Sequence, residues 1–178
     1  LCTYIPIALA FVVVNFWQGY VPHVGEAALL FLGGMLSWTL FEYIVHRFVF
    51  HYITESRAIK TFHYYAHGIH HEFPRDHGRL FMPPAIALTV AAVVFGFFYL
   101  IMGVRAFMFF PGFVIAYLLY AFLHYSIHRY RPPRGLKFLW RHHLQHHYRC
   151  PKRAFGVSSP FWDFIFRTMP PAGYDDSN

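Results

Sequence analysis

The sequence predicts an all-α integral membrane protein with four transmembrane helices paired into two hairpins. Composition is the first observation: of 178 residues, 57% are hydrophobic and 22% aromatic, while only 13% are charged. An ordinary soluble domain is about a quarter charged. The second is a set of four apolar stretches, residues 4–21, 27–45, 85–102 and 111–127, each close to the roughly 20 residues a helix needs to cross a bilayer. The third is charge asymmetry. The loop between the first two stretches carries no Lys or Arg, and the loop between the last two carries only Arg105. The other basic residues fall between Arg47 and Arg79 or after His128. By the positive-inside rule the N-terminus and both long polar segments, residues 46–84 and 128–178, face the cytoplasm.

Each element has local support. The first stretch lacks a basic leader and a cleavage site, so it reads as a span and not as a signal peptide. The chain starts with Leu, which leaves room for residues upstream. Gly33-Gly34 would let another backbone approach the second span, although loosened packing is the plainer account. Pro83-Pro84 stands where the third span should begin, the position at which a helix tolerates proline best. Gly103 and Arg105 mark a tight hairpin, and Pro111 either starts the fourth span or kinks it. Residues 61–71 and 136–148 look like short helices beside the membrane. The aromatic tail 161–169 suits either the interface or a plain packing helix, and 175–178 should fray. The formal charge of +7 fits anionic headgroups better than nucleic acid, because the basic residues flank spans and form no separate patch. Cys2 and Cys150 show no zinc or redox spacing. The chain reads as one domain, residues 1–178.

Ten of the fourteen histidines fall in four boxes: His46-x4-His51, His67-x2-His70-His71, His124-x3-His128 and His143-x2-His146-His147. Neutral imidazole is the commonest ligand for transition metals. On a helix, positions i, i+3 and i+4 share a face, so each H-x-x-H-H box can aim its rings at one place. His46 and His51 are about 140° apart on an ideal helix and need a bend, a helix end or two separate metals. Ten ligands are too many for one ion. Shared between two they give about five each, leaving roughly one octahedral position open. Scattered structural histidines would explain any single box, but not four in one short chain. Each half of the chain brings five, so two metals would pin the hairpins together. All four boxes border the basic segments, which predicts a cytoplasmic histidine-rich cap holding a dinuclear site.

The run His67-Gly-Ile-His-His-Glu-Phe-Pro-Arg-Asp-His-Gly-Arg-Leu-Phe-Met-Pro-Pro84 narrows the reading. With Glu42-Tyr43 ahead of His46-Arg47, and Phe155-Gly-Val-Ser-Ser-Pro-Phe-Trp-Asp163 near the end, the chain resembles the fatty acid hydroxylase and sterol desaturase superfamily. Within it, the chain is similar to the fatty acid 2-hydroxylases, which carry H-G-x-H-H-x-x-P-x-D-x-x-R-L-x-x-P-P. The resemblance covers nearly the whole chain. It implies that the metal ligands are His46, His51, His67, His70, His71, His124, His128, His143, His146 and His147. It also implies two metal ions, iron in function with zinc acceptable in a purified sample. The activity implied is O2-dependent hydroxylation of a lipid acyl chain at the carbon next to its carbonyl, in a fatty acid or a sphingolipid N-acyl group. No attached b-type cytochrome motif lies within these residues, so, unless one stands upstream, electrons would come from a separate donor such as a b-type cytochrome or a ferredoxin with its reductase. The location implied is the endoplasmic reticulum in a eukaryote or the inner membrane in a bacterium. Many members have Tyr-Asp ahead of the third box where this chain has Tyr120-Ala121, which bears on the substrate.

Residues beyond the boxes are weaker candidates. Glu42 lies one turn before His46 and either accepts a hydrogen bond from its ring or pairs with a basic residue. Asp76 either bonds a ligand or forms a turn after Pro74. Tyr120 shares a face with His124 and either touches substrate or packs. Arg75 and Arg79 either hold an anionic head or face lipid. His63 and His142 read as supporting or exposed residues, His23 as a loop residue, and His77 falls outside the box spacing. Two other functions remain in view: a sterol or carotenoid hydroxylase or desaturase on the same machinery, and a histidine-rich zinc transporter. Transporters place ligands near the bilayer midplane, whereas these boxes stand at span ends.

Overall fold

The structure, a computed structural model, describes residues 4–52, 54–76, 78 and 84–171. The expectations at Cys2, His77, Arg79, Pro83 and residues 175–178 lie outside the described residues. Among the described residues there is no strand. In chain order the helices are α1 (Tyr4–Gln18), α2 (Val24–Ile44), α3 (Arg57–His63), α4 (Ile69–Glu72), α5 (Pro84–Met102), α6 (Ala106–Arg129), α7 (Lys137–Tyr148) and α8 (Phe161–Ile165). The chain divides into two compact units, residues 1–39 with 81–121 and residues 40–80 with 122–178.

In the first unit, α1, α5 and α6 meet around Tyr4, Ala8, Ala87, Phe110 and Val114. Gly103, at φ +59°, takes a left-handed turn that costs glycine little, and the chain reverses there. Phe98 then lies against Phe109 and Phe113, and Phe95 against Phe107 and Phe110, so α5 and α6 pack side by side. Of the two expectations for Pro111, the start is excluded: α6 begins at Ala106 and contains the proline within it. The close approach expected at Gly33-Gly34 is present. A Cβ on Gly34 would meet the Phe109 carbonyl at 1.9 Å, and one on Gly112 would meet that of Phe31 at 1.9 Å, so α2 and α6 touch backbone to backbone.

Among the described residues, two continuous helical stretches are long and apolar enough to cross a membrane, Val24–Phe50 and Ala85–Arg129, and the latter contains the reversal at Gly103. The helix α1 has 15 residues, shorter than the expected 4–21 because Gly19 turns the chain at φ +64°. Val13, Leu36, Val93, Phe97 and Leu100 all stand exposed, Leu100 by 86%. Helices apolar on every side suit lipid and not water.

The second unit is built from the helical ends and short helices. The chain continues from α2 into a π-helical turn, Val45–Phe50. A second π-helical turn, Tyr64–Gly68, joins α3 to α4, so the helix expected at 61–71 runs from Arg57 to Glu72. Residues 137–148 of the expected 136–148 form α7. The tail is helical only over Phe161–Ile165, and it is inside out: Asp163 is buried while Phe161, Phe164 and Ile165 are exposed.

Candidate metal centre

The ten boxed histidines gather in the second unit as two groups of five. His46, His51, His67, His71 and His146 form the first group, and His70, His124, His128, His143 and His147 the second. Within each, the nitrogens available as ligands lie within 4.8 Å of one another. The π-helical turn explains the first box. Its i→i+5 hydrogen bonding brings residues five apart to one side, so His46 and His51 join the same group. His124 and His128, one α-turn apart on α6, need no such device.

The groups exchange one member. Four histidines of the first group come from residues 46–71 and the fifth, His146, from α7. Four of the second come from residues 124–147 and the fifth, His70, from α4. Neighbours on a helix point about 100° apart, so His70 and His71 divide between the groups, as do His146 and His147. The groups are themselves close, with the His71 and His147 rings stacked at 4.2 Å.

The geometry fits metal ions. Two imidazoles at right angles on an ion, with bonds of about 2.0–2.1 Å, place their nitrogens about 3.0 Å apart. In the first group the Nε2 atoms of His46 and His67 are 3.0 Å apart, those of His67 and His71 2.9 Å, and that of His146 is 3.1 Å from both His51 and His71. In the second, His143 stands 2.9 Å from His128 and 3.1 Å from His147. His70 is buried with no hydrogen-bond partner at either ring nitrogen, a costly arrangement unless a ligand takes up its lone pair. His46 Nδ1 donates to the Phe155 carbonyl, and His146 Nδ1 donates to that of Arg153 at 2.7 Å. A neutral ring with its proton on Nδ1 leaves the lone pair on Nε2, aimed into the group.

Electrostatics favours that neutral state. Burial first, and neighbouring imidazoles second, hold His67, His143, His146 and His147 well below the usual imidazole range. The same causes, in the same order, lower His70 to about 3 and His51 and His71 to about 4. Unprotonated rings are the form that binds metal.

The weaker candidates separate clearly. Glu42 does not touch the His46 ring; it accepts the amides of Val157 at 2.6 Å and Ser158 at 3.0 Å, and the Ser158 hydroxyl. Asp76 accepts the Gly78 amide at 3.0 Å in an exposed turn. Tyr120, in the first unit, packs its ring against Trp38. His142 is buried and donates to Asp163 at 2.9 Å, while His23 is exposed and His63 half-buried. Asp163, which closes the Phe155–Asp163 run, is not among the residues the sequence singles out for the site. It is fully buried and accepts four hydrogen bonds.

Comparison with known proteins places this arrangement. The chain is 39% identical over 142 residues to a dihydroceramide fatty acyl 2-hydroxylase of Arabidopsis thaliana, a match covering 77% of this chain and 59% of that protein. It is 39% identical over 168 residues to a fatty acid 2-hydroxylase of Rattus norvegicus, covering 90% of this chain and 45% of the relative. The chain thus spans about half the length of these relatives. Among solved structures it is similar to full-length Scs7p, in which only the hydroxylase domain is visible, with a TM-score of 0.87 and 31% identity over 96% of this chain and 65% of that one. The fatty acid hydroxylase profile matches residues 31–168, and the chain belongs to that family.

Proposed function

We propose that this protein is a membrane di-metal monooxygenase that hydroxylates lipid acyl chains at the 2-position. The convergence of ten buried or half-buried imidazoles into two five-membered groups carries the reading. The relatives named as 2-hydroxylases support the position of the hydroxyl. The ten histidines are the ligands, five to each of two ions. Iron is the working metal, and zinc fits the same nitrogen donors. When bound, the metals supply the activation of O2 that an unactivated C–H bond requires and that side-chain acid–base chemistry does not provide.

The chain's own residues do the rest. The carbonyls of Phe155 and Arg153 hold the protons of His46 and His146 on Nδ1 and fix the planes of those rings. Burial keeps the imidazoles neutral. Four spans in two hairpins, with the histidines in a cap at the cytoplasmic face, would let an acyl tail lie among the helices while its polar head stays at the interface, an effect of positioning. Residues 1–178 act as one hydroxylase domain, and a donor outside these residues delivers electrons. The acyl substrate is a fatty acid or a sphingolipid N-acyl group.

Expression in a host that lacks 2-hydroxy lipids but has a compatible reductase tests the reading, with the His70→Ala/His71→Ala variant alongside. Mass spectrometry of hydrolysed lipids should show 2-hydroxy acids only with the intact chain. Modified sterols or carotenoids instead would keep the machinery and refute the substrate. No change in any lipid, with metal loading and electron supply verified, would refute the oxygenase reading and favour metal transport.

A further inference from the structure

Residues 153–158 have no regular secondary structure, yet they are buried from Ala154 to Val157 and face the first histidine group through two carbonyls. Four successive amides of this segment are held by two carboxylates from different helices. Asp163 on α8 accepts the Phe155 amide on Oδ1 at 2.9 Å and the Gly156 amide on Oδ2 at 2.7 Å. Glu42 on α2 accepts the amides of Val157 and Ser158 on Oε1 and the Ser158 hydroxyl on Oε2. The backbone is shaped for this contact. A Cβ on Gly156 would stand 2.2 Å from the Ser159 carbonyl and 3.0 Å from Asp163 Oδ2. Ala154, between the two carbonyl-bearing residues, is in the left-handed region at φ 58°, a conformation that persists only where its surroundings enforce it.

Asp163 is anchored in turn. Its Oδ2 also accepts His142 Nε2 at 2.9 Å and its Oδ1 the Thr168 hydroxyl at 2.7 Å. Because Thr168 donates there, it accepts from Tyr43 at 2.9 Å, and Tyr43 accepts from Arg47 at 2.8 Å. Each donor thus has one acceptor, from Arg47 on the turn bearing His46 to the carboxylate. His142 adjoins His143 on α7, so the network touches the elements that carry both groups while its carbonyls serve only the first.

We propose that Glu42 and Asp163 are positioning residues: together they fix residues 153–158 so that the Arg153 and Phe155 carbonyls set the ring plane and tautomer of His146 and His46. This rests on the metal reading of the ten histidines. It makes a distinction between amide substitutions that bulk and charge alone do not make. Both oxygens of Asp163 face backbone N–H groups, so an asparagine, whichever way it turns, opposes its NH2 to one of them. Glu42 meets both backbone amides with a single oxygen, and its other oxygen meets a hydroxyl that can accept as well as donate. A glutamine can therefore keep the full set.

The test uses the whole chain in detergent micelles loaded with Zn2+, with zinc per chain followed by mass spectrometry during exposure to excess EDTA. The unmodified chain should hold two ions. Asp163→Asn and Glu42→Ala should each release one ion about ten- to a hundredfold faster and leave the other at its original rate, whereas Glu42→Gln should behave as the unmodified chain. Adding His70→Ala to Glu42→Ala should speed the slower ion as well. Should Asp163→Asn fail to fold by circular dichroism and gel filtration, the Glu42→Ala and Glu42→Gln pair carries the test. Equal acceleration of both ions in folded variants, or unchanged release in Glu42→Ala, would overturn the positioning role. Fewer than two ions in the unmodified chain would overturn the metal reading beneath it.

Discussion

Removing neighbouring histidines should deplete different ions, and that follows from the exchange of ligands between the two groups. His70 belongs with His147, and His71 with His146. A structural zinc site of four ligands is worth about 10–16 kcal/mol, or roughly 3 kcal/mol per ligand. At about 1.4 kcal/mol per factor of ten, loss of one imidazole weakens its own ion about a hundredfold. The double variant His70→Ala/His147→Ala therefore places roughly 6 kcal/mol on one ion by the same per-ligand figure and leaves the other unaltered. His70→Ala/His71→Ala divides the same loss between both ions. Metal content per chain across a series of chelator concentrations separates the two cases. The first variant should show one ion absent and one held at its original affinity; the second should show two ions, each weakened. If His70→Ala/His71→Ala instead strips a single ion and spares the other, the exchanged grouping is wrong.

Gly34→Ala should destabilise the first unit by about 1–3 kcal/mol or more, since its Cβ would overlap the Phe109 carbonyl, a backbone atom that cannot turn aside. Gly25→Ala, on the same helix with nothing within 4 Å of the new Cβ, is the control, and equal thermal melting of the two variants would refute the argument. In the metal-free chain, acid should act through the buried imidazoles. Their folded values lie below the unfolded value of about 6.5, so the unfolded chain binds protons first. There is no effect above about pH 6.5, and stability falls as pH drops from there toward the folded values of about 4 for His51 and His71 and about 3 for His70. Each such ring adds at most about 1.4 kcal/mol per pH unit, and less for the partly exposed His51 and His71. Melting curves of the stripped chain between pH 8 and 5 check the sign; unchanged or rising stability below pH 6.5 would contradict it.

Much of the site is written in short-range spacing. The i+3 and i+4 intervals of His67, His70 and His71, and of His143, His146 and His147, translate directly into helix faces, and the Gly33-Gly34 pair translates into a close helix approach. What spacing does not carry is the partner of each face. The shared face predicts that each H-x-x-H-H box aims its rings at one place, yet the 100° step between His70 and His71, and between His146 and His147, sends neighbouring rings to different groups. The i+5 interval of His46 and His51 needed a π-helical turn that helix propensities do not announce. Glu42 and Asp163 were harder still, because they act on backbone amides, which have no letter in the sequence. Glu42 stands one turn before His46 and looks like its direct acceptor, yet the acceptor is the carbonyl of Phe155, more than a hundred residues later. Asp163 sits in a run of aromatic residues that suits either the interface or a plain packing helix, neither of which singles it out. Its burial appears only once residues 154–157 fold over it.

The same histidines also do the work of a core. Residues 57–72 form an unbroken helical run in which α3 buries nothing, the π-helical turn buries only His67, and α4 buries only His70. Of its large apolar side chains, Ile59, Phe62, Tyr64 and Tyr65 stand exposed and Ile69 is only half-buried, so no fully buried hydrophobic face attaches it from this side. A buried imidazole without a partner costs free energy instead of supplying it, and His70 has no partner at either nitrogen. The segment is thus held by side chains whose burial becomes favourable only when their lone pairs are taken up. An ion that binds the folded and not the unfolded chain stabilises the fold through mass action, and here that stabilisation falls on the element that lacks other means. On the proposed ligand assignment, exchange of one ligand between the groups extends the effect: one ion would tie residues 46–71 to α7 through His146, and the other would tie α4 to residues 124–147 through His70. Over residues 57–72 the buried side chains are His67 and His70, both proposed ligands, and for that reason the box there is dense while the apolar pattern around it is weak.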